Sequence, residues 1–270
     1  MVDFKHIIES GNKLYNFHSH TQFCDGRDVM DNFVVKAIEM GFTDYGFSPH
    51  SPIPIASPCN MDINKIPEYI NEYHRLKDKY GDKIRLYLSM EVDYMGKLFN
   101  ARNELFDKIN LDYKIGSVHF LPTENGEYID VDGSYENFSV KMDKYFQNDI
   151  KWVIEQFYSQ SIDMIELGGF DIIGHFDKIG DNGSSFAPGI EKEDWYERFV
   201  KREFEAIMDN KLIVEINTKA LSTHGRFFPH ERYFGWLKKY KTPVLVNSDA
   251  HYPDLINAGR MEAFKLLENI

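Results

Sequence analysis

Short apolar runs alternate with amphipathic stretches along most of this chain. Runs rich in β-branched and aromatic residues occur at 14–18, 43–48, 84–90, 112–118, 171–175, 212–216 and 243–246. Several are almost continuously apolar, such as Leu212-Ile213-Val214 and Val244-Leu245-Val246, as expected of strands buried on both faces of a parallel sheet. Helical periodicity fills the gaps, at 32–40, 65–80, 97–109, 138–160, 192–210, 229–240 and 259–268. In the first of these Phe33, Val34, Ala37 and Ile38 carry the apolar period, and Gly41 follows as a cap. Strand–helix alternation throughout predicts a parallel α/β architecture. About seven units predict a closed or nearly closed (β/α)7 barrel, one short of the eight-unit form. An open doubly wound sheet is the alternative, but it would gather its functional residues at one crevice. Segments 121–136 and 180–189 break the pattern with Pro, Gly, Asn, Ser and acidic residues and read as loops over the barrel mouth. No linker or internal repeat is visible, so residues 1–270 read as one domain.

Metal-ligating residue types recur where the strands end. His18 and His20 end the first strand, and Asp25 sits in the loop after it. His50 follows the second strand, Glu91 ends the third, His119 the fourth and His175 the fifth, while Asp249 and His251 follow the seventh. In a parallel barrel these ends open on one face, so residues far apart in sequence converge. The period of two in His18-Ser19-His20 and in Asp249-Ala250-His251 puts both ligands of each pair on one side. Imidazole and carboxylate together suit Zn, Mn or Fe. Nine ligands exceed the needs of one ion, so two or three divalent metal ions are expected, with carboxylates bridging. Blander roles fit some candidates. His6, His74, His224 and His230 read as surface or satisfied histidines, Asp25 could be a turn residue and Asp249 a helix cap. Glu91, a carboxylate in an apolar strand, demands a partner.

Composition narrows the partners. The formal net charge of -12 repels a phosphate backbone and argues against a general nucleic-acid binder. Cys24 and Cys59 form neither a Cys-x-x-Cys motif nor a disulfide framework. There is no apolar signal segment near the start and no run of about 18 apolar residues, so a cytoplasmic protein without membrane association is expected. Oligomeric state is left open.

The motifs Phe17-His18-Ser19-His20-Thr21, Cys24-Asp25-Gly26, Pro49-His50, Met90-Glu91-Val92-Asp93, Gly116-Ser117-Val118-His119, Gly174-His175 and Ser248-Asp249-Ala250-His251 occur in this order through essentially the whole chain. Their pattern resembles the PHP (polymerase and histidinol phosphatase) family, most closely its stand-alone bacterial histidinol-phosphatase branch. The resemblance implies a distorted seven-unit barrel with a trinuclear site. It also implies the grouping: His18, His20, Glu91 and Asp249 on one ion, Asp25, His50 and His251 on a second, and Glu91, His119 and His175 on the third. The expected reaction is hydrolysis of the monoester L-histidinol phosphate by a metal-bridging hydroxide, with Glu91, Asp249 and His251 as catalytic residues. Arg226, Arg27, Asn217 and Asp93 are the expected substrate contacts, with Asp130 and Asp132 as further acidic residues in the loops. Two rival readings are a related phosphoesterase acting on nucleotides or other small phosphate esters, and a non-catalytic metal-binding scaffold.

Overall fold

The computed structural model describes residues 2–270. Nine strands form in chain order: β1 (Tyr15–Asn16), β2 (Asp44–Phe47), β3 (Arg85–Asp93), β4 (Tyr113–Ser117), β5 (Phe120–Pro122), β6 (Tyr128–Asp130), β7 (Ile172–Ile173), β8 (Ile213–Asn217) and β9 (Val244–Asn247). Seven of them pair in parallel in the order β1-β2-β3-β4-β7-β8-β9, and each matches an expected apolar run. The expected barrel is therefore borne out. Both faces of its strands are covered, which explains why Ile172, Ile173, Val214, Ile216, Leu245 and Val246 are all inaccessible to solvent.

The remaining two strands, β5 and β6, form an antiparallel hairpin inside the segment expected to be loop. The other segment read as loop, 180–189, is mostly the helix Ile179–Phe186. Its glycines serve close packing. A Cβ on Gly180 would lie 2.6 Å from both the Arg226 guanidinium and the Tyr196 hydroxyl, and one on Gly183 would lie 3.2 Å from Ile154. Two helical expectations are also corrected. The stretch 138–160 is two helices, Tyr135–Tyr145 and Ile150–Leu167, parted where Gln147 and Asn148 take left-handed φ values of 53° and 58°. The Asp149 carboxylate then caps the second by accepting from the Trp152 amide at 3.0 Å. In 97–109 only Glu104–Ile109 is helical, started by the Asn103 cap.

The barrel closes unusually. No ladder joins β9 to β1. Beyond their ends Ser19 and Ala250 form an isolated parallel bridge, in which the His20 amide donates to the Ala250 carbonyl at 2.9 Å. Below the bridge, side chains replace the missing backbone partners. The Phe17 amide donates to Asn247 Oδ1 at 2.9 Å, the Ser248 amide to Asn16 Oδ1 at 2.9 Å, and the Val246 amide to the Tyr15 hydroxyl at 3.0 Å. Arg260, fully buried on the helix Arg260–Asn269, straddles the same seam. It donates to the carbonyls of Val246 at 3.0 Å and Lys13 at 3.1 Å, and its guanidinium lies 5.0 Å from the centre of the Tyr15 ring.

Candidate metal centre

Glu91 stands at the centre of the mouth, 1% exposed, on the part of β3 that runs past the end of β2 and stays paired with β4. A parallel bridge to His50 extends the sheet at this point. Its Oε2 lies 3.2 Å from His18 Nε2, 3.4 Å from His20 Nε2 and 3.2 Å from His50 Nδ1. Its Oε1 lies 2.9 Å from His175 Nε2 and 3.5 Å from His119 Nε2. Five imidazoles from four strand ends thus surround one carboxylate. Ser117 Oγ steadies it with a 2.7 Å hydrogen bond, and Gly174 leaves room for that hydroxyl, since a Cβ there would sit 2.5 Å from it. Asp249 reaches the cluster from the other end of the chain, with Oδ1 3.0 Å from His20 Nε2. Its φ of 48° is left-handed, an uncommon conformation for a residue with a side chain and one that clusters at functional sites. Asp25 and His251 complete the outer edge, at 3.2 Å from each other.

The chemistry of these donors fits metal ions. His18 Nε2, His20 Nε2, His50 Nδ1 and Asp25 Oδ1 are buried and have no hydrogen-bond partner, although carboxylate oxygens lie nearby. Buried polar atoms are rarely left so, and an ion is a common reason. Donor atoms of His20, Asp25, His50 and His251, of His18, His20 and Asp249, and of Glu91, His119 and His175 each fall within 4.8 Å of one another. Charge is arranged to match. Burial alone would raise the Glu91 and Asp249 carboxyls, but the surrounding histidines, and Lys219 beside Asp249, hold both well below the usual carboxylate range. Burial, with the charges of His251 and His50 close by, holds His20 well below its ordinary value, which favours the neutral imidazole a metal needs.

A further layer orients the ligands. His18 Nδ1 meets Glu215 Oε1 at 2.7 Å, and His119 Nδ1 meets Asp93 Oδ1 at 2.7 Å. Carboxylates in this position fix the imidazole tautomer and leave the far nitrogen to a metal. Burial opposes protonation of His119, but Glu91 and Asp93 outweigh it and push the ring up to about 9. Asp93, expected to touch substrate, has its second oxygen occupied by Asn60 at 2.7 Å. Asn217, also expected at the substrate, donates from Nδ2 to Asp249 Oδ2 and Glu215 Oε2, each at 3.1 Å. Both brace candidate ligands, Asp93 against His119 and Asn217 against Asp249.

The two arginines lie elsewhere than expected. Arg226 is 6% exposed and turned inward, paired with Asp177 at 2.9 Å and Glu191 at 2.9 Å. Arg27 is exposed, and only its amide joins the site's framework, donating to the His251 carbonyl at 2.8 Å. The cations that line the cleft beside the histidines are Lys178 and Lys219. Lys178 pairs with Asp132 at 2.6 Å, and Lys219 Nζ lies 3.3 Å from His251 Nε2 and 3.5 Å from Asp249 Oδ1. Their signal in the sequence is positional: each follows a strand-end residue, His175 or Asn217, by two or three places. Of the four histidines set aside, His6 and His74 are exposed, His224 pairs with Asp181, and His230 caps the short turn that begins at Glu231. The cleft holds about 480 Å³ and is walled by the loop at 55–60 and by the β5–β6 hairpin. Among the described residues no helix is long and apolar enough to cross a membrane.

The chain is similar to known proteins. Residues 16–219 match the PHP domain. A probable histidinol-phosphatase of Schizosaccharomyces pombe is 27% identical over 254 residues, covering 87% of this chain and 80% of that protein. A probable histidinol-phosphatase of Deinococcus radiodurans is 24% identical and covers 95% of this chain and 94% of its own length. Among solved structures, histidinol phosphate phosphatase from Lactococcus lactis, crystallised with zinc, L-histidinol and phosphate, superposes with a TM-score of 0.65 at 19% identity, over 94% of this chain and 92% of that one. The domain match runs from β1 to just past β8 and takes in most of the barrel and its mouth; the chain belongs to the PHP-domain family.

Proposed function

We propose that this protein is a metal-dependent phosphomonoesterase that hydrolyses L-histidinol phosphate to L-histidinol and phosphate, a step of histidine biosynthesis. The observation that carries the reading is the set of buried, unpartnered histidine and carboxylate atoms around Glu91, opening on a cleft whose lining includes Lys178 and Lys219. The names of the relatives supply the substrate, which the geometry alone would not.

In this reading His18, His20, Glu91 and Asp249 would hold one divalent ion, Asp25, His50 and His251 a second, and Glu91, His119 and His175 a third. Ions held there would activate water for in-line attack and neutralise charge on the phosphoryl oxygens. The chain's own groups do the rest. Glu91, Asp249 and His251 are the residues that would carry the catalysis. Glu215, Asp93 and Asn217 keep the ligand set preorganised before substrate arrives. Lys178 and Lys219, in place of Arg226 and Arg27, contact phosphoryl oxygens and offset the acidic charge of the chain. The zinc in the Lactococcus structure makes Zn the first ion to test, followed by Mn and Fe. A single domain is consistent with ligands drawn from both ends of the chain, and a cytoplasmic location belongs to the same proposal as the biosynthetic role.

The test is phosphate release from histidinol phosphate, from mononucleotides and from p-nitrophenyl phosphate, with metal content measured before and after chelation. We expect histidinol phosphate to give the highest kcat/KM, and chelation to abolish turnover. Preference for a mononucleotide would replace the substrate, and bound metal without turnover of any ester would make the protein a scaffold.

A further inference from the structure

His20 belongs to two donor groups at once, with His18 and Asp249 on one side and Asp25, His50 and His251 on the other. Its ring lies between those of His50 and His251, with centroids 4.4 Å and 4.3 Å away, and is stacked on the second. Such packing fixes the plane of an imidazole but not which edge faces where. A half-turn about the Cβ–Cγ bond keeps the plane and puts carbons where the nitrogens were. The partner of Nδ1 decides between the two. His18 and His119 each have a carboxylate there, at 2.7 Å. Among the described residues, the hydrogen-bond partner of His20 Nδ1 is Cys24 Sγ, at 3.4 Å. Asp25 Oδ1 is further off, at 3.6 Å, and is itself a candidate ligand. A tight turn puts the sulfur in place. The Cys24 amide donates to the Thr21 carbonyl at 3.0 Å, and Phe23 is buried against Tyr69 with ring centroids 5.4 Å apart. A Cβ on Gly26 would lie 2.2 Å from the Thr21 nitrogen, so the close return of the chain at that point requires glycine. Backbone groups of Gly26, Thr21 and His50 also approach the sulfur as hydrogen-bond donors. A sulfur faced by donors is an acceptor.

We propose that Cys24 is a positioning residue of the metal centre: its sulfur accepts from His20 Nδ1, holds the ring in one orientation and one tautomer, and so commits Nε2 to the ion shared with His18, Glu91 and Asp249. The inference rests on the metal-dependent reading above and adds a residue that acts through His20. His20 Nε2 lies 3.0 Å from Asp249 Oδ1, is buried and has no hydrogen-bond partner, so with Nδ1 protonated its lone pair is free for an ion. Without the sulfur, the turned ring and the other tautomer compete, and in each of them a hydrogen faces the ion. Because His20 stands in both donor groups, its orientation also decides which of the two it serves.

The experiment titrates the full-length, metal-free protein with zinc against a competing chelator, for wild type, Cys24→Ala and Cys24→Ser. Cys24→Ala should weaken the binding of one zinc ion about 10- to 100-fold, as the removal of an outer partner of a ligating histidine does. Cys24→Ser, whose hydroxyl can accept the same proton, should stay within about threefold of wild type. Urea unfolding of the metal-free proteins should give the same midpoint for all three, which separates positioning from folding. Equal zinc affinity in wild type and Cys24→Ala overturns the proposal. So does a loss in Cys24→Ala that Cys24→Ser does not recover, or one that a lowered metal-free midpoint accompanies. The readout involves no turnover, so the two readings fail separately. Weaker zinc binding in Cys24→Ala, with no phosphate ester hydrolysed by wild type, removes the phosphatase and keeps the role of Cys24. Hydrolysis by wild type with unchanged zinc binding in Cys24→Ala does the reverse, and a wild type that binds no metal overturns both.

Discussion

At the scale of single residues, the site depends on one carboxylate with five imidazole neighbours. Removing one charge from Glu91 should therefore do more than remove one ligand. In Glu91→Gln we expect metal content and kcat/KM to fall together, with kcat/KM down by at least a thousandfold, read by elemental analysis and phosphate release. Full activity with full metal content would remove Glu91 from the mechanism. Lys219→Met makes the contrasting case: metal stays bound while KM for phosphate monoesters rises about tenfold, since a charge-assisted contact is lost without a ligand. All nine candidate ligands were legible in the sequence because strand ends are legible and a parallel barrel brings them together. Arg226 was not, because its partners Asp177 and Glu191 lie 49 and 35 residues away in sequence and nothing local marks them. Asp93 and Asn217 were recognised as belonging to the site, and the structure adds their partners within the chain, His119 and Asn60 for one and Asp249 and Glu215 for the other. A polar residue at a strand end looks the same whether it faces substrate or braces a histidine.

At the scale of elements, the helices carry a pH-sensitive contact away from the mouth. Glu203, on the helix Asp194–Asp209, is fully buried and accepts from Ser161 Oγ on the helix Ile150–Leu167, while its Oε2 has no partner. Burial pushes its carboxyl well above the ordinary range, and the nearby Asp177 adds to this. The folded state therefore binds the proton more tightly than the unfolded chain. Stability from this group is intact below about pH 4.5 and declines as pH rises toward the raised value, by up to about 1.4 kcal/mol per pH unit. Glu203→Gln, neutral at every pH, should flatten that decline and be more stable than wild type near pH 8. Urea unfolding at pH 5, 6.5 and 8, with identical metal loading, reads it, and parallel pH profiles would refute it. The elements themselves show why sequence pattern succeeds and fails. Short β-rich runs, several of them almost continuously apolar, marked every barrel strand. The three-residue strands of the hairpin are too short to show a period, and the glycines of Ile179–Phe186 imitate a loop while meeting a packing need.

At the scale of the whole molecule, the weak place is the seam between the first and last strands, where asparagine and tyrosine side chains and Arg260 do the work of a ladder. Four proposed ligands flank it: His18 and His20 on one side, Asp249 and His251 on the other. Chelation should lower the melting temperature and speed hydrogen exchange at the Phe17, His20, Val246 and Ser248 amides more than at β3 and β4. Uniform loss of protection across the barrel would show the seam to be no weaker than the rest. An ion held from both sides of this seam is a reversible cross-link between chain positions about 230 residues apart, of the kind whose entropic effect grows with the loop it closes. Ring closure and ion affinity then share one free energy. The melting temperature should climb with the logarithm of free metal, and a substitution that loosens Asn16 or Asn247 should weaken ion binding without touching a ligand.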